Sequence, residues 1–171
     1  MNDNEQRITS LALAAGAGDA DALTEFIRLT INDVWRFLAH LASPQLADDL
    51  TQETYLRVIS ALPRFAGRSS AMTWLLTLAR RVWIDQIRHD RARPAKSATE
   101  YEDVHGSTPD EFTDLVESRL LLAGLSDERR EAIVLTQVLG YSYEEAAQIA
   151  GVRVGTIRSR VARARQDLAS R

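Results

Sequence analysis

Arginine side chains near the end of the chain have the chemistry and spacing of a nucleic-acid contact. A guanidinium group offers planar hydrogen-bond donors that match both a phosphate and the edge of a guanine. Apolar residues recur here every three or four positions, which predicts a helix over 154–169 with one buried side. At about 100° per residue, Arg163 and several short residues fall on the opposite side, and three more arginines fall along the flanks. The flanking residues are Arg158, Arg160 and Arg165.

A shorter helix is predicted directly before these arginines. Ser142 and Glu145 fit a capping box, in which a hydroxyl and a carboxylate each accept a hydrogen bond from an orphan backbone N–H. Gly151 suits the left-handed turn that ends a helix. Two helices joined in this way predict a DNA-binding helix-turn-helix, in which Gly155 and Ala162 are small enough to let the second helix approach base edges. The alternative is a solvated arginine face; the agreement of cap, turn and cationic side disfavours it.

A second cationic stretch, residues 64–88, combines arginines with aromatic and hydroxyl groups. Its loop, residues 64–70, is small, flexible and cationic, a composition suited to holding an unstacked base and its phosphate. For the aromatic residues the alternative is packing in the core, which we expect for Trp83 and leave open for Trp74. The candidate DNA contacts of this stretch are Arg64, Phe65, Arg68, Ser69, Ser70, Trp74, Thr77, Arg80, Arg81 and Arg88.

The helix predicted over 45–62 has a surface of a different kind. Acidic and amide side chains share its outer side with two large aliphatic residues, Leu56 and Ile59. A face that is only solvated does not normally include such residues, so we interpret it as a protein-binding surface with an apolar centre and a charged rim. The alternative is that both aliphatic residues pack beneath a neighbouring helix. The candidate surface consists of Asp48, Asp49, Gln52, Glu53, Leu56 and Ile59.

Charge is sorted into blocks along the chain. The net charge is −5 over residues 1–60, +6 over 61–96, −7 over 97–131 and +3 over 132–171. Two basic blocks separated by an acidic one predict two nucleic-acid contacts joined by a segment that does not bind DNA.

Composition excludes several classes of protein. The chain has no cysteine, which excludes a disulfide framework, a thiolate zinc site and thiol-based redox sensing. Its three histidines have no metal-ligand spacing, so we expect no metal and no cofactor. The absence of an apolar run near eighteen residues and of a cleavable signal predicts a cytoplasmic protein without membrane insertion.

Apolar periodicity and the positions of glycine and proline predict an all-α fold of two small domains. Residues 91–107 are polar and aperiodic, so a flexible linker is expected there. The predicted organisation is a domain over 1–93, a linker over 94–107 and a domain over 108–171. Helices are expected near 6–15, 19–41, 45–62, 71–90, 109–123, 127–138, 143–150 and 154–169.

Three motifs together resemble one family. They are ADDLTQETYLR at 47–57, TWLLTLAR at 73–80 and VGTIRSR at 154–160. In this order and spacing they resemble the bacterial RNA polymerase sigma factors of the extracytoplasmic-function group (group 4), and the phrasing from 47 to 81 resembles their actinobacterial sigma-C type. The resemblance covers nearly the whole chain. It implies a four-helix region 2 domain and a helix-turn-helix region 4 domain, no enzymatic activity, and transcription initiation by binding core RNA polymerase and directing it to promoters. An anti-sigma factor is the further partner that the resemblance suggests.

The resemblance also implies roles for the three surfaces. The acidic helix matches the surface for the clamp helices of the largest polymerase subunit, and the stretch from Arg64 to Arg81 matches the part that captures single-stranded minus-ten bases. Residues 84–93 match the part that lies on the upstream duplex edge. The candidate contacts to the double-stranded minus-thirty-five element are Gly155, Thr156, Arg158, Ser159, Arg160, Arg163 and Arg165. The sequence departs from the family pattern in three places. Arg81 stands where many relatives have asparagine, the loop 66–70 lacks the acidic residue that is common in them, and some relatives have a bulkier residue at the position of Ala162.

The sequence disfavours two other classes of protein. A stand-alone repressor or activator would leave the basic block over 61–96 unexplained, and an all-helical enzyme would need a buried polar or metal cluster that the sequence does not contain. The acidic segment around the linker has two open interpretations. It either screens the basic block in the free protein or only keeps the linker soluble. The residues concerned are Glu100, Glu102, Asp103, Asp110 and Glu111.

Overall fold

The computed structural model describes residues 2–93 and 109–171, and every regular element in these ranges is helical. The first half contains α1 (Asp3–Gly16), α2 (Ala20–Leu41), α3 (Pro44–Ala61) and α4 (Ala71–Ala92), with a 3₁₀ turn, Leu62–Arg64, before α4. The second half contains α5 (Pro109–Leu122), α6 (Asp127–Ile133), α7 (Tyr143–Ala150) and α8 (Val154–Ala169). The all-α prediction is confirmed, and each predicted helix corresponds to one of these eight. The predicted linker over 94–107 lies outside the described residues.

Local side-chain caps decide where the helices begin. Ser43 caps α3 and Pro44 occupies its first turn, where the missing N–H costs nothing. The Ser70 hydroxyl accepts a hydrogen bond from the Thr73 N–H at 3.2 Å and so starts α4. The Ala71 N–H, which has no partner within α4, donates to the hydroxyl of Thr9 at 3.0 Å. This bond ties the start of α4 to α1.

The sixth predicted helix has an irregular end. The expected range, 127–138, divides into the α-helix α6 and a π-helical turn, Val134–Val138. The Thr136 hydroxyl donates to the Ala132 carbonyl at 2.7 Å within this segment. The widened turn leads directly to the helix-turn-helix, which begins after Gly140 with its positive φ of 77°.

Most of the buried aliphatic and aromatic residues of the two halves form one continuous cluster. Phe26 and Phe37 of α2 are fully buried against α3 and α4, and Ile149 and Ile157 are buried between α7 and α8. The halves meet where α4 packs against α7 and where α5 lies along α2. The two halves, which the sequence predicts as separate domains, are therefore in contact.

Two further observations complete the fold. Leu115 of α5 is buried in a small cluster with Ala39 and Ala47, and Trp35 packs against it. This cluster joins the second half of the chain to α2 and α3. Within residues 2–93 and 109–171, no helix combines the length and the apolar composition needed to cross a membrane.

Candidate functional site

The helix-turn-helix has the local geometry that the sequence predicts. The Ser142 hydroxyl accepts from the Glu145 N–H at 3.1 Å, and the Glu145 carboxylate accepts from the Ser142 N–H at 2.8 Å. Gly151 ends α7 in the left-handed conformation, with φ 66° and ψ 35°. A residue with a Cβ is strained in that conformation, so glycine is what allows the sharp turn into α8.

The second helix of this motif, α8, has one buried and one cationic side. Ile157, Val161 and Ala164 are buried. A Cβ added at Gly155 would meet no atom within 4 Å, so the space in front of the helix start is open. Of the predicted contacts, Thr156 and Arg160 are half-buried, whereas the following are exposed: Gly155, Arg158, Ser159, Arg163 and Arg165.

Two of the arginines on α8 are not simply free in solvent: one forms a hydrogen bond within the protein and the other is partly buried. Arg165 donates through Nη2 to the Gln137 side-chain oxygen at 3.0 Å and is otherwise exposed. The Nη1 atom of Arg160 is buried and has no hydrogen-bond partner among the described residues. Arg160 therefore differs from Arg158 and Arg163, which project into solvent.

The loop before α4 combines exposed cations with a tilted pair of aromatic rings in contact. Arg64 and Arg68 are exposed. The rings of Phe65 and Trp74 lie 4.8 Å apart between centroids at an interplanar angle of 38°, and both residues are half-buried. Trp74 is thus packed on one side and accessible on the other. Trp83 is 2% exposed, which confirms that it belongs to the core.

The hydroxyl groups near this loop form hydrogen bonds within the protein. The Ser69 hydroxyl donates to the Ser70 carbonyl at 3.3 Å, and the Ser70 hydroxyl donates to Thr73 at 3.0 Å. The Thr77 hydroxyl donates to the Thr73 carbonyl at 2.8 Å. These side chains shape the start of α4 and keep acceptor lone pairs for a ligand.

The three arginines of α4 that are predicted DNA contacts do not share one environment. Arg81 and Arg88 are exposed. Arg80 is 24% exposed and makes an ion pair through Nε with the Glu131 carboxylate, with a second contact from Nη2 at 3.4 Å. Glu131 belongs to α6, so this ion pair joins the two halves of the chain. Burial raises the pKa of the Glu131 carboxyl, while the hydrogen bond and charge of Arg80 and the charge of Arg160 act in the opposite direction.

The acidic face of α3 is exposed, and the alternative, in which its aliphatic pair packs beneath a neighbouring helix, does not hold. Leu56 is 60% exposed and Ile59 is 46% exposed. The polar members of the surface are likewise exposed: Asp48, Asp49, Gln52 and Glu53. Large aliphatic side chains that face water within a charged surface are typical of a site that becomes buried in a complex.

Two side chains orient this acidic face. The Trp35 indole N–H donates to Asp48 at 2.8 Å. Arg57 bridges Glu53 at 3.1 Å and Asp85 of α4 at 2.9 Å, and these two hydrogen bonds raise the pKa of Arg57. The face is therefore held against both α2 and α4.

Sequence reasoning missed Glu131 and Trp35. Glu131 lies in a run of acids and arginines, DERRE at 127–131, which is also the composition of a solvated helix. Only tertiary packing distinguishes this carboxylate, with 1% exposure, from its exposed neighbour Glu128. Within the described ranges, no group of three or more potential ligand side chains has an arrangement that could hold a metal ion.

Comparisons with known proteins point to one family. Residues 26–93 match the family described as Sigma-70 region 2, and residues 116–168 match the family described as Sigma-70, region 4. The chain is similar to the probable RNA polymerase sigma-C factor of Mycobacterium bovis and to the ECF RNA polymerase sigma factor SigC of Mycobacterium tuberculosis. Each is 51% identical over 175 residues, which cover 96% of this chain and 91% of the relative.

A solved structure gives the same result. The fold is similar to that of the sigma factor RpoE from Bartonella quintana, solved in complex with the anti-sigma factor NepR, with a TM-score of 0.69. The two sequences are 30% identical, and the match covers 86% of this chain and 94% of that one.

Proposed function

The chain belongs to the extracytoplasmic-function sigma factors, which direct RNA polymerase to promoters, and we propose that it does so through three surfaces on α3, α4 and α8. The observation that carries the proposal is that all six predicted contacts on α3, and most of the predicted arginines of the loop 64–70, α4 and α8, are exposed on elements whose opposite sides are buried. The division into a region 2 domain over 1–93, a linker over 94–107 and a region 4 domain over 108–171 is part of this proposal.

The α3 surface is the proposed contact with core polymerase. Leu56 and Ile59 supply apolar area that the free protein leaves in water, and the surrounding carboxylates favour a cationic partner. Apolar residues at the centre contribute most of the affinity of such an interface, and charged residues at its rim mainly affect the rate and specificity of association.

The loop 64–70 and α4 form the proposed minus-ten surface. Phe65 and Trp74 contact each other at a tilt and are only half-buried, so they leave accessible aromatic surface beside the exposed Arg64 and Arg68. Stacking of a base on an aromatic ring, with a neighbouring cation for its phosphate, is a common way to hold single-stranded DNA. Arg81 and Arg88 extend the cationic surface along α4.

The exposed side of α8 is the proposed minus-thirty-five surface. Open space at Gly155 lets the helix start approach the major groove, where Arg158 and Arg163 reach base edges or phosphates. Arg160 is half-buried and suits a phosphate contact better than base readout.

Three further expectations follow from family membership. We expect a regulator of polymerase without catalytic activity of its own, located in the cytoplasm, where its polymerase partner works. The RpoE structure contains an anti-sigma factor, so we expect an anti-sigma protein to be a partner of this chain as well.

A transcription assay with matched arginine variants tests the proposal. Purified chain and core polymerase are combined on a supercoiled template that carries the promoter. Arg158→Ala and Arg68→Ala should each lower specific transcript yield, because each removes an exposed cation from one DNA surface. Arg7→Ala is the control, since Arg7 is a similarly exposed arginine, 60% accessible, on α1 outside the three surfaces. Equal loss in all three variants would indicate a general charge effect and contradict the assignment.

A further inference from the structure

One side of α1 lies along the loop 64–70 and the helical segments that flank it. The Thr9 hydroxyl accepts a hydrogen bond from the Ala71 N–H at 3.0 Å, at the start of α4. Leu13 lies against the middle of the loop, where a Cβ added at Gly67 would stand 3.5 Å from the Leu13 Cδ1 atom. Two residues of α1 thus meet the middle and the end of the loop.

A third contact lies at the beginning of the loop. Gly16 packs so closely against the 3₁₀ turn that a Cβ there would collide with the carbonyl oxygen of Leu62. Thr9, Leu13 and Gly16 are four and three positions apart, so they share one side of the helix. These three residues are the α1 stripe. It runs antiparallel to the loop and meets it at three points, from Ala71 back to Leu62.

The hydrogen bond between α1 and α4 is buried. Thr9 is 8% exposed and Ala71 is fully buried. The first N–H groups of a helix have no partner within it, and a buried N–H without an acceptor is unfavourable. Without the Thr9 hydroxyl, the start of α4 would have to shift towards water. Ser70, which caps α4 and ends the loop, would move with it.

We propose that the α1 stripe is the template that fixes the loop 64–70, and that Thr9 is a positioning residue for minus-ten recognition. This rests on the proposed function, because it requires the loop to hold minus-ten bases. Thr9 is buried, so it acts through Ala71 and the loop and does not itself touch DNA. Residues 26–93, which match Sigma-70 region 2, begin after α1, so the match assigns no part of this role.

A template of this kind affects the free energy of binding through the conformational entropy of the loop. Gly67 has a φ of 69°, and Arg64 and Arg68 are long, exposed side chains. Ordering such a segment at the moment of binding costs conformational entropy, and a loop that is already held in the binding shape avoids much of that cost. Loss of an α1 contact should therefore weaken binding of minus-ten bases although every loop residue is unchanged.

Binding of single-stranded DNA by the reconstituted holoenzyme tests this role. The probe is a fluorescent oligonucleotide with the minus-ten sequence that the wild-type holoenzyme selects from a randomised promoter pool. Thr9→Val keeps the shape of the side chain and removes the acceptor. It should raise the dissociation constant about two- to tenfold, as the net loss of one hydrogen bond does. Thr9→Ser keeps the hydroxyl and should restore the affinity, and neither variant should change the affinity for minus-thirty-five duplex.

Two control variants separate positioning from general loss of stability. Thr30 is fully buried in α2 and shares a hydrogen bond with the Tyr55 hydroxyl at 2.7 Å. Thr30→Val should lower the melting temperature, as Thr9→Val does, and leave the affinity for the oligonucleotide unchanged. Leu13→Ala should weaken binding without disturbing a buried hydrogen bond, because Leu13 is 43% exposed. Its control is Ile31→Ala on α2, where the side chain is 39% exposed.

Double variants show whether Thr9 acts through the loop. Residues that act through one another have effects that do not combine independently, whereas distant residues have effects that do. Thr9→Val should therefore raise the dissociation constant by a smaller factor when Arg68 of the loop is already alanine. Combined with Arg88→Ala, near the far end of α4, it should raise it by the same factor as in the wild-type chain.

Several results would overturn the proposal. One is a folded Thr9→Val protein whose holoenzyme binds the oligonucleotide as tightly as the wild type, and another is a Thr9→Ser protein that binds as weakly as Thr9→Val. If Thr9→Val did not fold, equal affinities of Leu13→Ala and Ile31→Ala would overturn it. Failure of the proposed function has a different signature, since Arg68→Ala alone would then leave oligonucleotide binding unchanged.

Discussion

Replacing Leu56 by alanine should weaken polymerase binding and leave the fold intact. The side chain is 60% exposed, so folding buries only the smaller part of it. Full burial of a leucine contributes about 2 kcal/mol, and the part already buried accounts for less than about 1 kcal/mol of unfolding free energy. The exposed part is available to a partner. Its loss should cost about 1.2 kcal/mol of binding free energy, equivalent to a dissociation constant about eightfold larger.

A buried leucine on the same helix provides the matched control. Leu50 is 5% exposed, and Leu50→Ala removes the same atoms from the core. It should lower the unfolding free energy by about 2–5 kcal/mol, because it leaves a cavity. Urea denaturation followed by circular dichroism measures stability in both variants, and competition for core polymerase against a labelled wild-type chain measures binding.

Two outcomes would refute this reasoning. If Leu56→Ala destabilised the protein as much as Leu50→Ala does, Leu56 would have to be part of the core. If Leu56→Ala left the affinity for core polymerase unchanged at full stability, the apolar centre of the α3 face would not be a polymerase contact.

Three further predictions concern α8, α2 and the turn. Arg158→Ala should cost about 1–3 kcal/mol of promoter-binding free energy and relax the preference at one minus-thirty-five base, whereas Arg160→Ala should weaken binding to all promoter sequences alike. If a selection from randomised promoters gave the two variants the same base preferences, this prediction would be contradicted. Burial lowers the pKa of His40, so the unfolded chain takes up its proton first, and stability should fall as the pH drops from 7.5 to 5.5, by at most about 1.4 kcal/mol per pH unit. The melting temperature of His40→Gln should vary less with pH than that of the wild-type chain. An unchanged pH dependence would contradict this prediction. Gly151→Ala should lower the unfolding free energy by about 1–2 kcal/mol, because Gly151 has a positive φ. Gly155→Ala should not lower it, because Gly155 is helical and a Cβ there meets open space. Chemical denaturation of both variants measures the difference.

The sequence predicts the elements well because their signals are local. The capping box of Ser142 and Glu145 and the left-handed Gly151 each depend on residues within a few positions of one another. Apolar periodicity likewise identifies the buried side of α8, where Ile157 and Val161 recur four residues apart. These features depend on local backbone geometry and do not depend on how the two halves of the chain pack together.

Contacts between the halves could not be predicted in the same way. Arg80 lies among exposed arginines in the pattern of α4, and no local feature distinguishes it from Arg81. Its pairing with Glu131 depends on how the two halves of the chain pack against each other, which no local sequence pattern determines. The exposure of Leu56 also depends on packing, because periodicity alone allowed either a partner-binding face or a covered one.

Promoter opening by the reconstituted holoenzyme is the most direct test of the central claim. Reactivity of minus-ten thymines towards permanganate is measured on a supercoiled promoter with core polymerase alone, with the chain alone and with both. We expect reactive thymines only with both components, and a weaker signal when the chain carries Leu56→Ala or Arg158→Ala. Reactive thymines with the chain alone, or none with the complete holoenzyme at a promoter it binds, would contradict the claim that this chain opens promoters together with polymerase.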